Sequence, residues 1–115
     1  MFEINGIQWI ISRVPSGSAF LMRSDGSETV GVTDWNSRTI YLNKRLKGAF
    51  LRKVLAHELC HVFCFSYSIH MPIEQEECMA DWISLYGTDL VYLLDNLMLL
   101  NSQNNGIAGN IYEIP

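Results

Sequence analysis

A chain of 115 residues is the usual length of one compact domain and too short for two. Hydrophobic residues make up 49% and charged residues 17%, enough apolar surface for a core without disulfide support. The net charge is −4 and the eight Lys and Arg are scattered, so the basic stripe of a phosphate-tracking protein is missing and direct nucleic-acid binding is not expected.

Residues 1–6 show no basic stretch leading into an apolar run, and no signal peptide is read there. Residues 90–100 form the longest apolar stretch near the C-terminus. They are interrupted by Asp95 and Asn96 and are too short to span a bilayer, so no membrane role is expected. Cys60, Cys64 and Cys78 cannot all pair within the chain. Two of them lie one helical turn apart, and all three read as small buried residues, reduced in a cytoplasmic protein.

Residues 1–45 alternate short apolar runs with turn signals. Residues 7–14 read as a strand ended by Pro15-Ser16-Gly17-Ser18, and residues 19–23 as a second ended by Ser24-Asp25-Gly26-Ser27. Residues 28–33 read as a third before the turn Asp34-Trp35-Asn36-Ser37, and residues 38–42 as a fourth. Short connections of this kind predict an antiparallel meander. Residues 47–67 contain no Pro and no glycine after Gly48, and their composition predicts a helix that is apolar almost all round and buried on several sides. A second helix is predicted over residues 72–100. Pro72 stands near its first position, Glu74, Glu76 and Glu77 lie in its first turn, and Gly87 is its weak point. Residues 101–115 are polar and read as a tail or a late strand. The fold class expected is α+β, a single domain with a small antiparallel sheet followed by two long helices.

The chemistry concentrates in His57-Glu58-Leu59-Cys60-His61. One helical turn separates the two histidines, so both project from one face and can hold one metal ion from one side. Glu58 is rotated by roughly 100° from His57, which suits it to act on a water at the open position as a general base. Imidazoles and a carboxylate inside a buried helix cost free energy unless paired or bound to metal. Cys60 and Cys64 share the helix with them, but four ligands from one straight helix cannot surround an ion tetrahedrally.

A catalytic zinc site takes three protein ligands as a rule. His70 lies nine residues beyond His61 and misses the spacing of a third histidine six residues on. The first helix rises roughly 9 Å from His61 to Tyr67 and the second covers roughly 7.5 Å from Pro72 to Glu77. Antiparallel helices would therefore return Glu77 to the level of the histidine pair, with Glu74 and Glu76 as the fallbacks. Asp81, one turn beyond Glu77, is placed to accept a hydrogen bond from a ligand imidazole. Tyr67 and His70, near the interhelical turn, are the candidates for donors to a developing oxyanion. Trp9, Trp35 and Trp82 read as core or interface residues.

His57-Glu58-x-x-His61 followed by Glu77-x-x-Ala80-Asp81 is similar to the gluzincin arrangement of the zincins. With the small size, the strand meander and the strand Arg38-Thr39-Ile40-Tyr41-Leu42 before the motif helix, the chain resembles the ImmA/IrrE-type peptidases of phages and mobile elements. That resemblance, over residues 28–95, implies a zinc endopeptidase with one Zn2+ per chain. It implies His57, His61 and Glu77 as ligands, Glu58 as general base and Asp81 as an outer partner of a ligand histidine. It also implies a protein substrate, in the relatives a transcriptional repressor. Two other readings remain at this stage. One is a zincin-like protein that is catalytically silent and acts by docking onto a regulator. The other is a SprT-like protease module with His70 as third ligand.

Overall fold

The computed structural model describes residues 1–104, with side chains described to residue 100. Four strands precede two helices: β1 (Phe2–Ile4), β2 (Ile7–Val14), β3 (Gly31–Asp34), β4 (Thr39–Asn43), α1 (Gly48–Ser66) and α2 (Ile73–Asn104). A 3-10 turn, Ala19–Leu21, lies between β2 and β3. The α+β class is as expected. Of residues 101–115, expected as a tail or late strand, 101–104 instead extend α2 and 105–115 lie outside the described residues. The chain divides into two units, Met1–Leu85 and Tyr86–Pro115, with α2 running through the boundary.

The sheet has the order β1-β2-β4-β3. It is mixed, which corrects the expected antiparallel meander: β1 and β2 pair antiparallel, as do β3 and β4, but β2 and β4 run parallel. Two departures from the predicted elements produce this. Residues 19–23 do not form a sheet strand; Ala19–Leu21 coils into the 3-10 turn, its Phe20 N–H bonded to the Ser18 hydroxyl. The β3–β4 hairpin then returns with β4 on the inside, where it pairs with β2 from Ile10↔Thr39 to Val14↔Asn43. β1 is an additional strand, joined to β2 by the two-residue turn Asn5-Gly6, both at positive φ (50° and 79°), the geometry of a tight hairpin.

Alternation along β4 separates the two faces of the sheet. Ile40 and Leu42 point into a core with Trp9, Leu46, Val54 and Val62, against which Leu51, Leu55 and Leu59 of α1 pack. Tyr41, on the other face, stacks on Phe20 of the 3-10 turn at 4.4 Å. α1 is less enclosed than its composition predicts. Phe50, Phe63 and Phe65 are exposed, and burial falls on Val54, Glu58, Cys60, His61, Val62, Cys64 and Ser66.

The far end of α1 is fixed to the sheet by polar contacts. Buried Trp9 donates its indole N–H to the Ser66 hydroxyl at 3.0 Å, and the Asn5 side chain donates to the Ser66 carbonyl at 2.9 Å. The helix ends there because Ser68 takes φ 54°. The Ser68 and Ile69 N–H groups then bond to the carbonyls of Phe65 and Cys64, satisfying acceptors that would otherwise be left open. α2 starts one residue after Pro72 and passes through Gly87 without a break. Its continuity corrects the length assigned to the apolar segment: by length and composition alone, Ile73–Leu100 could cross a membrane, and its most apolar window is unburied, although Glu76 and Ala80 nearer its start are buried.

Candidate metal centre

All residues of the site belong to the unit Met1–Leu85. Three side chains converge. His57 Nε2 and His61 Nε2 stand 3.3 Å apart, and the two Glu77 carboxylate oxygens lie 3.2 Å from His57 Nε2 and 3.0 Å from His61 Nε2. Among the described residues this is the group of His, Cys, Asp and Glu side chains able to hold a metal ion. His57 meets Asp81 while His61 meets Glu76, so α2 runs back along α1 and brings Glu77 to the level expected from the helical rise.

The remaining imidazole nitrogens face carboxylates. His57 Nδ1 is 2.9 Å from Asp81 Oδ1, and His61 Nδ1 is 3.6 Å from Glu76 Oε2. The first is a hydrogen bond and the second is longer than one. Both arrangements favour the proton on Nδ1 and leave Nε2 free to ligate. Asp81 therefore stands where it was expected. Glu76 does more than the fallback it was given. It is buried to 9% exposure, beside His61 and the Cys64 thiol, whereas Glu77 is exposed. Its sequence signal, an acid in a helix first turn, is that of a solvated residue, and only the packing of α1 against α2 reveals the difference.

Beneath the site, Cys60, Cys64 and Ala80 form a small core backed by Met71 and Met79. Burial, and then the Glu76 carboxylate, push the Cys64 thiol up to about 12; burial also raises the Cys60 thiol. These two cysteines are buried free thiols as expected, but Cys78 is exposed.

Glu58 is buried at 7% exposure and projects toward β3. The Thr33 hydroxyl lies 2.8 Å from Glu58 Oε1 and 3.2 Å from the Glu58 carbonyl; having one hydrogen, it donates best to the nearer carboxylate. β3 approaches α1 closely at Gly31, where an added Cβ would come within 2.9 Å of Val54 Cγ1 and 3.3 Å of Glu58 Cγ. Neither Thr33 nor Gly31 was singled out from the sequence. No spacing rule relates them to a motif more than twenty residues away.

His57, Glu58 and Glu77 line two hollows of about 270 and 350 Å³, which also share Arg23, Thr29 and Gly31. His61 and Glu76 line the first, Lys53 and Asp81 the second. Tyr67 and His70 line neither, and both are exposed on the connection between the helices. Lys53 lines the second hollow only; the cation that lines both is Arg23. The turn after the 3-10 segment holds it there through the Arg23 N–H to the Ser27 carbonyl and the Gly26 N–H to the Arg23 carbonyl. Nor does His70 belong to the group able to hold a metal, which leaves the reading with His70 as third ligand without support.

The family model of Peptidase M78, described as the IrrE N-terminal-like domain, matches residues 18–90. That span runs from the 3-10 turn past Asp81 and includes every residue of the site. No curated protein matches the chain. The family supports a metallopeptidase-type function, and peptidases act on protein substrates. With well over half its length matched, the chain belongs to the Peptidase M78 family, that of the IrrE N-terminal-like domain.

Proposed function

We propose that this chain is a zinc-dependent metalloendopeptidase that cuts a specific protein partner in the cytoplasm, a transcriptional repressor being the substrate its resemblance to ImmA/IrrE-type peptidases suggests. The observation that carries the proposal is the 3.0–3.3 Å spacing of the His57, His61 and Glu77 donor atoms. Donors about 2.0–2.1 Å from a tetrahedral zinc ion stand roughly 3.3–3.4 Å from one another. The two imidazole nitrogens have that spacing, and each has one of the two Glu77 oxygens at 3.2 or 3.0 Å, which supports zinc as the ion. Two imidazoles and one carboxylate also form the ligand set of hydrolytic zinc sites that keep a fourth position open. Bound there, zinc would supply a Lewis acid that lowers the pKa of water and polarises a carbonyl.

The protein's own groups perform the rest. Glu58, held by Thr33, takes a proton from the attacking water and delivers it to the amine that leaves. Asp81 fixes the His57 ring, and Glu76 places negative charge behind His61. Arg23, on the rim of both hollows, is the group available to a developing oxyanion, in place of Tyr67 and His70. Buried thiols at Cys60 and Cys64 suit a reducing compartment.

Glu58→Gln tests the mechanism. The variant should bind zinc like the wild type but fail to cleave a repressor encoded beside the gene, read by mass spectrometry of the products. Equal cleavage by both proteins would refute general-base catalysis by Glu58. Stable binding of the repressor by both, with cleavage by neither, would favour the docking reading.

A further inference from the structure

The second half of α2 has a surface that the site does not use. Leu90, Val91, Leu93, Leu94, Met98 and Leu100 are 44–59% exposed. Leu90, Leu93, Leu97 and Leu100 recur at spacings of three, four and three, the a and d positions of a heptad. Leu94, Val91 and Met98 widen that seam to an arc of roughly 180° at 100° per residue. Asp89, Asn96, Asp95 and Thr88 fall outside the arc, as do exposed Tyr92 and Leu99.

We propose that residues 90–100 pair with the same segment of a second copy of this chain, as a two-stranded coiled coil. Three observations select that occupant. First, the seam is a repeated leucine stripe, which interlocks with an identical stripe as knobs into holes. Second, the area suffices. Six half-exposed apolar residues at roughly 100 Å² each, with Leu97 partly exposed between them, present about 600 Å² per copy, the lower end of the range for specific interfaces. Third, the charge pattern does not suit a lipid surface. From Ile73 onward α2 carries no Lys, Arg or His, whereas helices that bind anionic headgroups carry cations on their polar face. Spanning the bilayer would place Asp89 and Asp95 in hydrocarbon.

Sedimentation of the full chain at 1–100 µM (about two decades around a typical weak dimer constant) tests this. The wild type should reach twice the 13.1 kDa chain mass, and Leu93→Glu with Leu97→Glu should sediment as one chain with unchanged zinc content. A second measurement does not depend on how those variants fold: Leu97→Cys in a Cys78→Ser background should form a disulfide-linked dimer on mild oxidation. Wild-type protein that stays at one chain mass to 100 µM, or a dimer that survives both glutamates, overturns the proposal. So does recovery of the wild type on phosphatidylcholine–phosphatidylglycerol vesicles with no dimer in solution.

Discussion

Thr33 Oγ1 and Glu58 Oε1 lie 2.8 Å apart, joining the edge strand β3 to the motif helix at the residue assigned to proton transfer. A buried carboxylate needs hydrogen-bond partners, and here one comes from an element far away in sequence. The bond orients Glu58 without touching the three metal donors, so metal binding and catalysis can be separated experimentally.

Replacing Thr33 with Val removes that donor while keeping shape. Cleavage should fall about tenfold, the value of one hydrogen bond to a charged group, with zinc content unchanged. Thr33→Ser should restore most of the loss. A Val variant with full kcat would show that Glu58 is oriented by something else.

Gly31 tests the same contact through packing. An alanine Cβ would meet Val54 Cγ1 at 2.9 Å and press on Glu58 Cγ. Separating β3 from α1 should cost about 1–3 kcal/mol of stability, as overpacking does, and reduce cleavage with the metal site intact. Chemical denaturation with a parallel zinc assay checks both; a variant as stable and active as the wild type would contradict the close approach.

The carboxylates behind the histidines should set metal affinity. Asp81→Ala is expected to weaken zinc binding by about 10–100-fold, and Asp81→Asn by less, since its amide oxygen still accepts from His57 Nδ1. Glu76→Ala should have a smaller effect, because its separation from His61 is 3.6 Å. Competition with a chromogenic chelator measures all three. The reverse order would show that Glu76 is the stronger partner.

The chain shows its site more plainly than its sheet, and the reason is range. His57, Glu58 and His61 lie within five residues on one helix, so helical periodicity alone aligns them. Glu77 followed from the rise of two antiparallel helices, and the structure brings it within 3.2 Å of both imidazoles. The parallel pairing of β2 with β4 depends on where the intervening 3-10 turn and hairpin lead the chain, which alternation of residue types does not encode. Asn5-Gly6 between Ile4 and Ile7 carries a hairpin signal, but no strand was read before Ile7, and β1 was missed. Thr33, Gly31 and the burial of Glu76 were not legible, because each depends on a surface brought from elsewhere in the chain.

Cys64 gives the fold a pH dependence. Its thiol is raised to about 12, by burial first and by Glu76 next, above the ordinary thiol value of 9.0. Between these values the native state keeps a proton that the unfolded chain loses, so the stabilisation is complete below pH 9 and declines as pH rises toward 12. Denaturation midpoints should therefore fall above pH 9, and Cys64→Ala should flatten that fall. At pH 8 an alkylating reagent should label exposed Cys78 and spare Cys64 until the protein unfolds. A midpoint independent of pH from 9 to 11 would contradict this.

The most direct measurement is the zinc content of protein purified without a metal-binding tag, for the wild type and for His61→Ala and Glu77→Ala. About one zinc per chain in the wild type, lost in both variants, is the predicted result. A wild type that takes up no zinc even after reconstitution, or a Glu77→Ala variant that keeps it fully, would contradict the centre formed by His57, His61 and Glu77.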